Sequence, residues 1–281
     1  MNKIKNKVFG FERALYNLKD TELIGVSFKG DGDGESALKE SENIFLKECL
    51  FALRYPLWHV NKVDIKSCSF LDTCRAPLWY SNNIVIVDSK MEGVKALREC
   101  NDIVIKNSSF TSEEILWRCS NINVSNSSIE GMYGFFESKN IVIKNLKFKG
   151  KYSFQYVENM EIDKSTFDTK DAFWHTKNVT VKNSIIKGEY LGWYAENLTF
   201  INCEIYSHQP LCYCKNLKLI NTKMIDSDLA FEYSSVEATI VGHIDSIKNP
   251  LSGHIEVDSI GELIREDDKY PSKAVVSIKE K

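Results

Sequence analysis

The chain has 281 residues, of which 43% are apolar and 27% are charged, and its net charge is −3. This composition excludes collagen-like and disordered chains, and it gives no electrostatic reason to expect nucleic acid or a membrane as a partner. No apolar run is long enough to span a bilayer and the charged N-terminal segment does not resemble a signal peptide, so we expect a cytoplasmic protein. Eight cysteines without an export signal favour reduced thiols over a disulfide framework.

A constant period runs through most of the sequence. Its anchors are ten apolar residues, each 19 positions after the last: Ile84, Ile103, Ile122, Ile141, Met160, Val179, Leu198, Leu217, Val236 and Ile255. Upstream the same spacing separates Ile44 from Val63, the step from Val63 to Ile84 is slightly longer, and an earlier copy of Phe51 is Phe28. Apolar residues alternate after each anchor in runs too short for helices. The period therefore predicts coils of short parallel strands.

Asparagine is concentrated in two columns of equivalent positions, one just before the anchor and one at the fourth position after it. The first includes Asn159, Asn178, Asn197 and Asn216, and the second includes Asn183, Asn202 and Asn221. Asparagine tolerates left-handed backbone, and its amide can bond to its copy one coil away. Both columns therefore predict corners between strands.

The repeat unit Asn178-Val179-Thr180-Val181-Lys182-Asn183-Ser184-Ile185-Ile186 resembles the parallel β-helix of the pectate-lyase-like superfamily. The segments Ala172-Phe173-Trp174-His175 and Tyr190-Leu191-Gly192-Trp193-Tyr194 resemble a bacterial family of that superfamily with unassigned function. With the period, this resemblance predicts an all-β fold, a single-stranded right-handed parallel β-helix of about twelve 19-residue coils. For activity it implies only a range, from pectate lyases and polygalacturonases to non-catalytic adhesins.

No linker interrupts the period, so we predict a single domain over residues 1–281. A coil of parallel strands has open ends that would otherwise pair with other molecules. Residues 1–20 and 258–281 are the predicted N-terminal and C-terminal caps.

Equivalent positions can also be sorted into inward and outward columns. The thirteenth and sixteenth positions after the anchor are apolar or small, and we predict that they line the core. The fourteenth position also holds Lys39, Arg98 and Gln155, which a dry core could not accept unpaired. We therefore predict that this column faces outward, although its rings could merely cover the corner of the core. It contains every tryptophan of the chain: Trp58, Trp79, Trp117, Trp174 and Trp193.

The fifteenth column, which includes His175, Tyr194 and Glu232, is predicted to face solvent. With the fourteenth column it predicts a stripe of aromatic and polar groups, which is densest in the C-terminal half. Such a mixture suits sugars, because their apolar faces stack on aromatic rings and their hydroxyls need donors and acceptors. Gly192 replaces a large apolar residue and predicts a local gap beside the indoles. The predicted substrate-binding residues are Trp174, Tyr190, Trp193, Tyr194, Gln209 and Tyr213.

Catalysis on this stripe would use Asp171, His175, Asp228 and Glu232. Glycoside hydrolysis needs two carboxyl groups about 5 to 10 Å apart, and Asp228 and Glu232 meet this only if the strand turns between them. His175 could serve as an acid or base beside Asp171 or Glu137.

Metal and cofactor sites find no support in the sequence, and we predict neither. Asp31-Gly32-Asp33-Gly34 predicts a turn rather than a calcium loop, because the remaining ligand spacing fails. His208, Cys212 and Cys214 do not predict a metal site either, since the two cysteines fall in columns of opposite orientation.

Two functions of different class remain open. The first is a protein that binds or processes an oligo- or polysaccharide with the C-terminal half of the stripe. The second is a non-catalytic scaffold whose stripe contacts a protein partner or a second copy of the chain, because interfaces favour Trp and Tyr.

Overall fold

The computed structural model describes residues 1–30, 34–266 and 270–279. Asp31, Gly32 and Asp33, for which we predicted a turn, lie outside these ranges. All regular structure in the described ranges is β-strand, and parallel strands form a β-solenoid of about 14 turns. This confirms the predicted all-β solenoid, with slightly more turns than expected. The described part of the chain contains no helix with the length and hydropathy of a transmembrane span.

The chain divides into two compact units, Met1–Ile141 and Val142–Lys281, and the boundary falls inside strand β17. The single domain and its two caps stay a prediction. Unit 1 contains β1 (Asn2–Lys5), β2 (Val8–Phe9), β3 (Lys19–Ile24), β4 (Ser27–Phe28), β5 (Glu42–Lys47), β6 (Leu50–Phe51), β7 (Asn61–Lys66), β8 (Ser69–Phe70), β9 (Asn82–Val87), β10 (Lys90–Met91), β11 (Ala96–Arg98), β12 (Asn101–Lys106), β13 (Ser109–Thr111), β14 (Glu114–Trp117), β15 (Ser120–Gly131) and β16 (Tyr133–Gly134). After β17 (Lys139–Lys151), unit 2 contains β18 (Glu158–Asp163), β19 (Thr166–Lys170), β20 (Lys177–Lys182), β21 (Ile185–Lys187), β22 (Glu196–Ile201), β23 (Glu204–His208), β24 (Leu217–Asp228), β25 (Ser235–Lys248), β26 (Ser252–Ile264) and β27 (Val275–Ile278).

The register of the parallel pairs follows the sequence period. Ile103 of β12 pairs with Ile122 of β15, one period later. The irregular spacings are reproduced as well, because β7 and β9 pair Val63 with Ile84 and β4 and β6 pair Phe28 with Phe51. The apolar alternation therefore fixed the register of each turn on its neighbour.

The core of each unit is built from the columns predicted to point inward. In unit 1, Phe51 stacks on Phe28 at 4.8 Å and on Phe70 at 4.4 Å between ring centroids. In unit 2, Phe154 and Phe173 stack at 5.1 Å, and both are fully buried. The thirteenth and sixteenth columns are buried in both units, which confirms their predicted orientation.

Both asparagine columns form hydrogen-bonded ladders, as predicted. In unit 2, Asn178 Nδ2 donates to Asn159 Oδ1 at 3.1 Å and Asn197 Nδ2 donates to Asn178 Oδ1 at 2.8 Å. These asparagines have φ of 54–59°, in the left-handed region. The amide bond to the next turn stabilises the corner that this backbone makes.

A second corner, which carries the candidate site, also uses left-handed backbone. Tyr190, Gly192 and Tyr194 have φ of 53°, 70° and 60°. Such a conformation costs roughly 1 kcal/mol or more at a non-glycine residue. Bonds between turns offset that cost: Tyr190 N–H donates to His208 O at 2.9 Å, and Tyr194 N–H donates to Cys212 O at 3.1 Å.

The gap predicted at Gly192 does not exist. A Cβ at this position would lie 2.7 Å from Leu211 Cδ2 and 3.1 Å from Leu198 Cδ2. Side chains from later residues fill the space that a large residue occupies in other turns. The glycine is therefore a packing requirement and leaves no opening beside the indoles.

Candidate functional site

The tryptophans of the fourteenth column, which we name the indole column, are half-buried, which agrees with the alternative that their rings cover the corner of the core. Trp174 and Trp193 stack at 5.3 Å with an interplanar angle of 4°. Trp174 Nε1 donates to Tyr190 O at 2.6 Å, and Trp193 Nε1 donates to Gln209 O at 2.9 Å. Each indole thus covers the corner of the core, with its face on a neighbouring indole and its polar edge on the backbone.

The polar members of the same column lie at the same corner. Gln155 Nε2 donates to Asp171 O at 3.0 Å, the bond that an indole makes in other turns. The guanidinium carbon of Arg98 lies 5.1 Å from the Trp79 ring centroid and 5.5 Å from that of Trp117. Gln155 and Arg98 are half-buried, and a backbone carbonyl and neighbouring rings serve as their partners, although Arg98 Nε itself has no hydrogen-bond partner among the described residues.

The fifteenth column faces solvent, as predicted, and in unit 2 it forms a stack of rings that we name the ring ladder. Neighbouring ring centroids are 4.9 Å apart from Tyr156 to His175, 4.9 Å from His175 to Tyr194 and 4.7 Å from Tyr194 to Tyr213. Tyr156 and Tyr194 are 47% and 45% exposed. The ladder comprises Tyr156, His175, Tyr194, Tyr213, Tyr233 and Tyr270. Its inner rings cover one another's faces, so it presents mainly ring edges to solvent.

His175 lies between two phenol rings and not beside a carboxylate. Its ring is within 6° of parallel to both Tyr156 and Tyr194. Glu137, one of its predicted partners, accepts a bond from Arg118 Nε at 2.7 Å in unit 1. Among the described residues His175 makes no ion pair with Asp171 or Glu137, and it is a member of the ring ladder.

Glu232 was predicted to face solvent, and this is wrong because of a register shift. β23 and β24 pair Tyr206 with Ile225 but His208 with Asp228, so β24 contains one extra residue at this point. The shift moves Glu232 into the indole column, where it is only 6% exposed. Lys248 Nζ lies 3.0 Å from its Oε1, and this bond raises the pKa of Lys248.

Gln209 joins this buried ion pair. Its Nε2 donates to Glu232 Oε2 at 3.2 Å, while its backbone carbonyl accepts the bond from Trp193. With both carboxylate oxygens engaged, Glu232 is placed to hold the corner together. It is poorly placed to exchange protons with a substrate. The Gln209 amide is likewise bonded to the protein through Glu232, so its Nε2 already has a partner other than a ligand.

Asp228 is brought to His208, a residue that sequence reasoning considered only as a metal ligand. His208 Nδ1 lies 2.7 Å from Asp228 Oδ1, and both side chains are largely exposed. The His208 ring meets the edge of Tyr190 at 5.5 Å. The same one-residue shift creates this pair, so the constant period gave no signal for it.

Asp171 is nearly buried at the opposite side of this cluster, at 8% exposure, and burial raises the pKa of its carboxyl group. The neighbouring Lys170 bonds to Glu189 at 2.7 Å, which lowers the pKa of Glu189. Lys170 Nζ also lies 5.2 Å from the ring centroid of Tyr190. The predicted catalytic residues are thus separated into different local environments.

Tyr190 contacts one other predicted residue, Trp193, and two residues that the sequence did not place in the site, His208 and Lys170. Its ring contacts Trp193 at 5.7 Å, His208 at 5.5 Å and the ammonium group of Lys170. Together with the ring ladder it forms one face of phenol, imidazole, ammonium and carboxylate groups. These groups are hydrogen-bond donors and acceptors repeated from turn to turn.

Metal ligation has no candidate in the described ranges, which contain no group of three or more His, Cys, Asp or Glu side chains suited to a metal. All eight cysteines are buried and free. Cys212, which we assigned to an outward column, is fully buried, so that assignment is wrong.

These features define a β-solenoid protein with stacked aromatic rings along one face of its second unit. The chain belongs to the family described as "Protein of unknown function (DUF3737)", whose model matches residues 2–278. No curated protein matches the sequence.

Several solved structures have a similar backbone fold. One is PfbA, a surface adhesin of Streptococcus pneumoniae, with 12% identity over 92% of this chain and 76% of that chain and a TM-score of 0.40. Another is the A-module of the mannuronan C-5 epimerase AlgE6 of Azotobacter vinelandii, with 10% identity over 99% and 89% of the two chains and a TM-score of 0.38. A tailspike protein mutant of E. coli bacteriophage HK620, in complex with a hexasaccharide, shows 9% identity over 98% and 70% and a TM-score of 0.39. Likenesses at this level carry no argument about the function of this chain, and membership of the pectate-lyase-like superfamily stays a prediction.

Proposed function

We propose that this protein binds a carbohydrate chain along the ring ladder of unit 2. One observation carries the proposal: Tyr156, His175, Tyr194 and Tyr213 repeat at centroid spacings of 4.7–4.9 Å on an exposed face. A row of identical spacing suits a polymer that itself repeats, because each repeat can make the same contact. Polysaccharides are polymers of this kind, rich in hydroxyl groups.

The proposed contact uses ring edges, which differs from the stacking that the sequence suggested. Faces of Trp174 and Trp193 are covered by each other, and their Nε1 atoms are bonded to backbone. The ladder instead offers phenol hydroxyls, which both donate and accept, and an imidazole. Sugar hydroxyls would exchange their water for these groups, with the ring edges as apolar contact.

Binding is favoured over processing by the state of the carboxylates. Glu232 is held by Lys248 and Gln209, Asp228 is held by His208, and Asp171 is only 8% exposed, so substrate has little access to its carboxyl group. An acid and a base for glycoside hydrolysis must be free to exchange protons with substrate. We therefore propose a binding protein, and we propose the cytoplasm as its location on the sequence argument alone.

The test is a glycan-array screen with the purified chain and two double variants. Tyr194→Ala with Tyr213→Ala removes the centre of the ladder. His59→Ala with Tyr80→Ala is the matched control, since these rings stack at 5.2 Å in the same column of unit 1. We expect glycan binding that the first variant weakens by about tenfold or more and the control leaves unchanged. Absence of any glycan ligand, or equal loss in both variants, would overturn the proposal.

The alternative scaffold function is favoured by the exposed tyrosines, since protein interfaces are rich in Tyr. In this case the ladder would contact a second copy of the chain. Light scattering would show a dimer that Tyr194→Ala with Tyr213→Ala converts to monomer, with no glycan retained on the array. That pair of results would replace the carbohydrate proposal by the scaffold.

A further inference from the structure

The outward face of β17, β19 and β21 carries a concentration of lysines that neither the net charge nor the ring ladder explains. These strands pair in register, with Lys149 next to Asp168 and Asp168 next to Lys187. Residues 147, 149 and 151, 166, 168 and 170, and 185, 187 and 189 occupy the outward positions of three successive turns. They include five lysines, which we name the lysine patch: Lys147, Lys149, Lys151, Lys170 and Lys187.

Only two carboxylates, Asp168 and Glu189, share these nine positions, so the face is positive although the chain as a whole is negative. Strands lie about 4.8 Å apart and alternate residues about 7 Å apart along a strand. Asp168 lies between Lys149 and Lys187, and Glu189 pairs with Lys170 at 2.7 Å. Like charges are neighbours along β17, from Lys147 to Lys151, and across the strands where Lys151 pairs with Lys170. Five lysines against two carboxylates leave an excess of three positive charges on this face, which an anionic ligand would offset.

Two of the lysines lie over aromatic rings, and one of them, Lys170, is also ion-paired with Glu189. Lys187 Nζ lies 4.9 Å from the ring centroid of Tyr206, and Lys170 Nζ lies 5.2 Å from that of Tyr190. Tyr190 also contacts Trp193, so the lysine patch adjoins the face that includes the ring ladder. A polymer bound on that face would reach the patch.

We infer that the lysine patch binds tetrahedral anionic esters, phosphate or sulfate, carried by the carbohydrate chain that the ring ladder holds. This inference rests on the proposed function. None of the nine positions is arginine, the residue whose planar fork matches a carboxylate with two parallel bonds. Lysine is a point charge with three donors, which suits oxyanions that present charge in several directions. The patch therefore favours phosphate or sulfate over uronate carboxylates.

Equilibrium binding to four dextran-sized polymers tests the ligand class. The probes are dextran sulfate, phosphorylated dextran, polygalacturonate and unmodified dextran, each at low salt and at about 0.15 M salt. We expect the sulfated or the phosphorylated polymer to bind at least about tenfold more tightly than the other two, and the stronger of these two identifies the ester. Equal binding of polygalacturonate would overturn the choice of tetrahedral anions.

Matched charge variants test the location. Lys147→Gln, Lys151→Gln and Lys187→Gln together should weaken binding of the charged dextran by about tenfold and reduce its salt dependence. The control replaces three exposed lysines elsewhere in unit 2, Lys177, Lys215 and Lys218, with Gln. Equal loss in the control would overturn the patch as the site.

Two further comparisons distinguish a failure of this inference from a failure of the proposed function, and a carbohydrate ligand from nucleic acid. If the ladder variant Tyr194→Ala with Tyr213→Ala abolishes binding of neutral glycans but the lysine variant does not alter charged dextran, the inference fails while the proposed function stands. If the lysine variant alone matters and no glycan depends on the ladder, the proposed function fails. Oligo-dT that binds as tightly as the charged dextran, with the same loss in the lysine variant, would assign the patch to nucleic acid and overturn the inference.

Discussion

The two units use the same inner corner and different outer columns. In unit 1, Trp58 and Trp79 stack at 5.1 Å, and in unit 2 Trp174 and Trp193 stack at 5.3 Å. In both units each indole donates its N–H to a backbone carbonyl. Because the indoles make the same stack and the same bond in both units, we assign them a structural role in stabilising the corner.

The two units differ in the fifteenth column, which faces solvent. Unit 1 has one stacked pair there, His59 on Tyr80, and an ion pair of 2.7 Å between Arg118 and Glu137. Unit 2 instead continues with rings from Tyr156 to Tyr233. An outer side chain contacts chiefly its copies in neighbouring turns, so the fold accepts either arrangement. The uninterrupted row of rings, which unit 2 has and unit 1 reduces to one pair, is therefore the better candidate for function, and the following predictions test this distinction.

The largest effect is expected in the interior, where the units should behave alike. Phe173→Ala in unit 2 and Leu116→Ala in unit 1 truncate fully buried residues of the thirteenth column. We expect each to lower the free energy of unfolding by about 3–5 and 2–5 kcal/mol, respectively, through lost burial and a cavity. Urea denaturation measures this. A loss below about 1 kcal/mol for either variant would show that its unit contributes little to the measured transition.

Next come the indoles, which should also behave alike. Trp174→Ala and Trp79→Ala each remove a stacked ring and a donor, and we expect a loss of about 2–4 kcal/mol in the free energy of unfolding. Trp174→Phe retains much of the stack but leaves Tyr190 O without its donor, at a cost of about 1 kcal/mol. If Trp174→Phe left stability unchanged but abolished glycan binding, the indole would belong to the ligand site after all.

These comparisons show which features a sequence can predict. Core columns, register and asparagine ladders follow from the period, because each is set by residues at equivalent positions. The direction of an indole such as Trp174 depends on the carbonyl of Tyr190 in the next turn, which no composition of the column reveals. The one-residue shift before Asp228 also has no signal in the period, and it placed Glu232 inside and Asp228 on His208.

Glu232 and Lys248 distinguish unit 2, since a buried ion pair there replaces an indole. Glu232→Gln should lower the free energy of unfolding by about 1–3 kcal/mol near pH 7, because Lys248 loses its charged partner. The pKa of Lys248 is raised in the folded chain, so its contribution is complete below the ordinary pKa of 10.5 and is lost as pH rises through the folded value. Stability measured above the ordinary pKa of 10.5 should fall more steeply for the native chain than for Glu232→Gln, whereas the two curves should be parallel below it; parallel curves above 10.5 would contradict this.

Replacing Asp171 should change the free energy of unfolding less, and at pH 7 it should raise stability where Glu232→Gln lowers it. Burial raises its pKa, so the folded chain binds the proton more tightly than the unfolded chain. Stability from this group is present below the unfolded pKa of about 3.9 and is lost as pH rises through the folded value. Asp171→Asn should therefore stabilise the chain slightly at pH 7 relative to acid pH. A variant that is less stable than the native chain at pH 7 would show that the carboxylate makes a favourable contact.

The smallest effect is expected at the exposed ion pairs, where the outer surfaces of the units should be equivalent. Glu189 pairs with Lys170 in unit 2 and Glu137 with Arg118 in unit 1, both at 2.7 Å. The pKa of Glu189 is lowered by its bond to Lys170, so its contribution is present above its ordinary pKa of 4.5 and is lost as pH falls through the folded value. Solvent and salt screen such pairs, and we expect neither Glu189→Gln nor Glu137→Gln to change the urea midpoint measurably. A clear loss of stability for Glu189→Gln alone, which disappears at high salt, would contradict this expectation. It would mean that the charges beside Tyr190 interact more strongly than an ordinary surface pair, and it would favour this face of unit 2 as a site for a charged ligand.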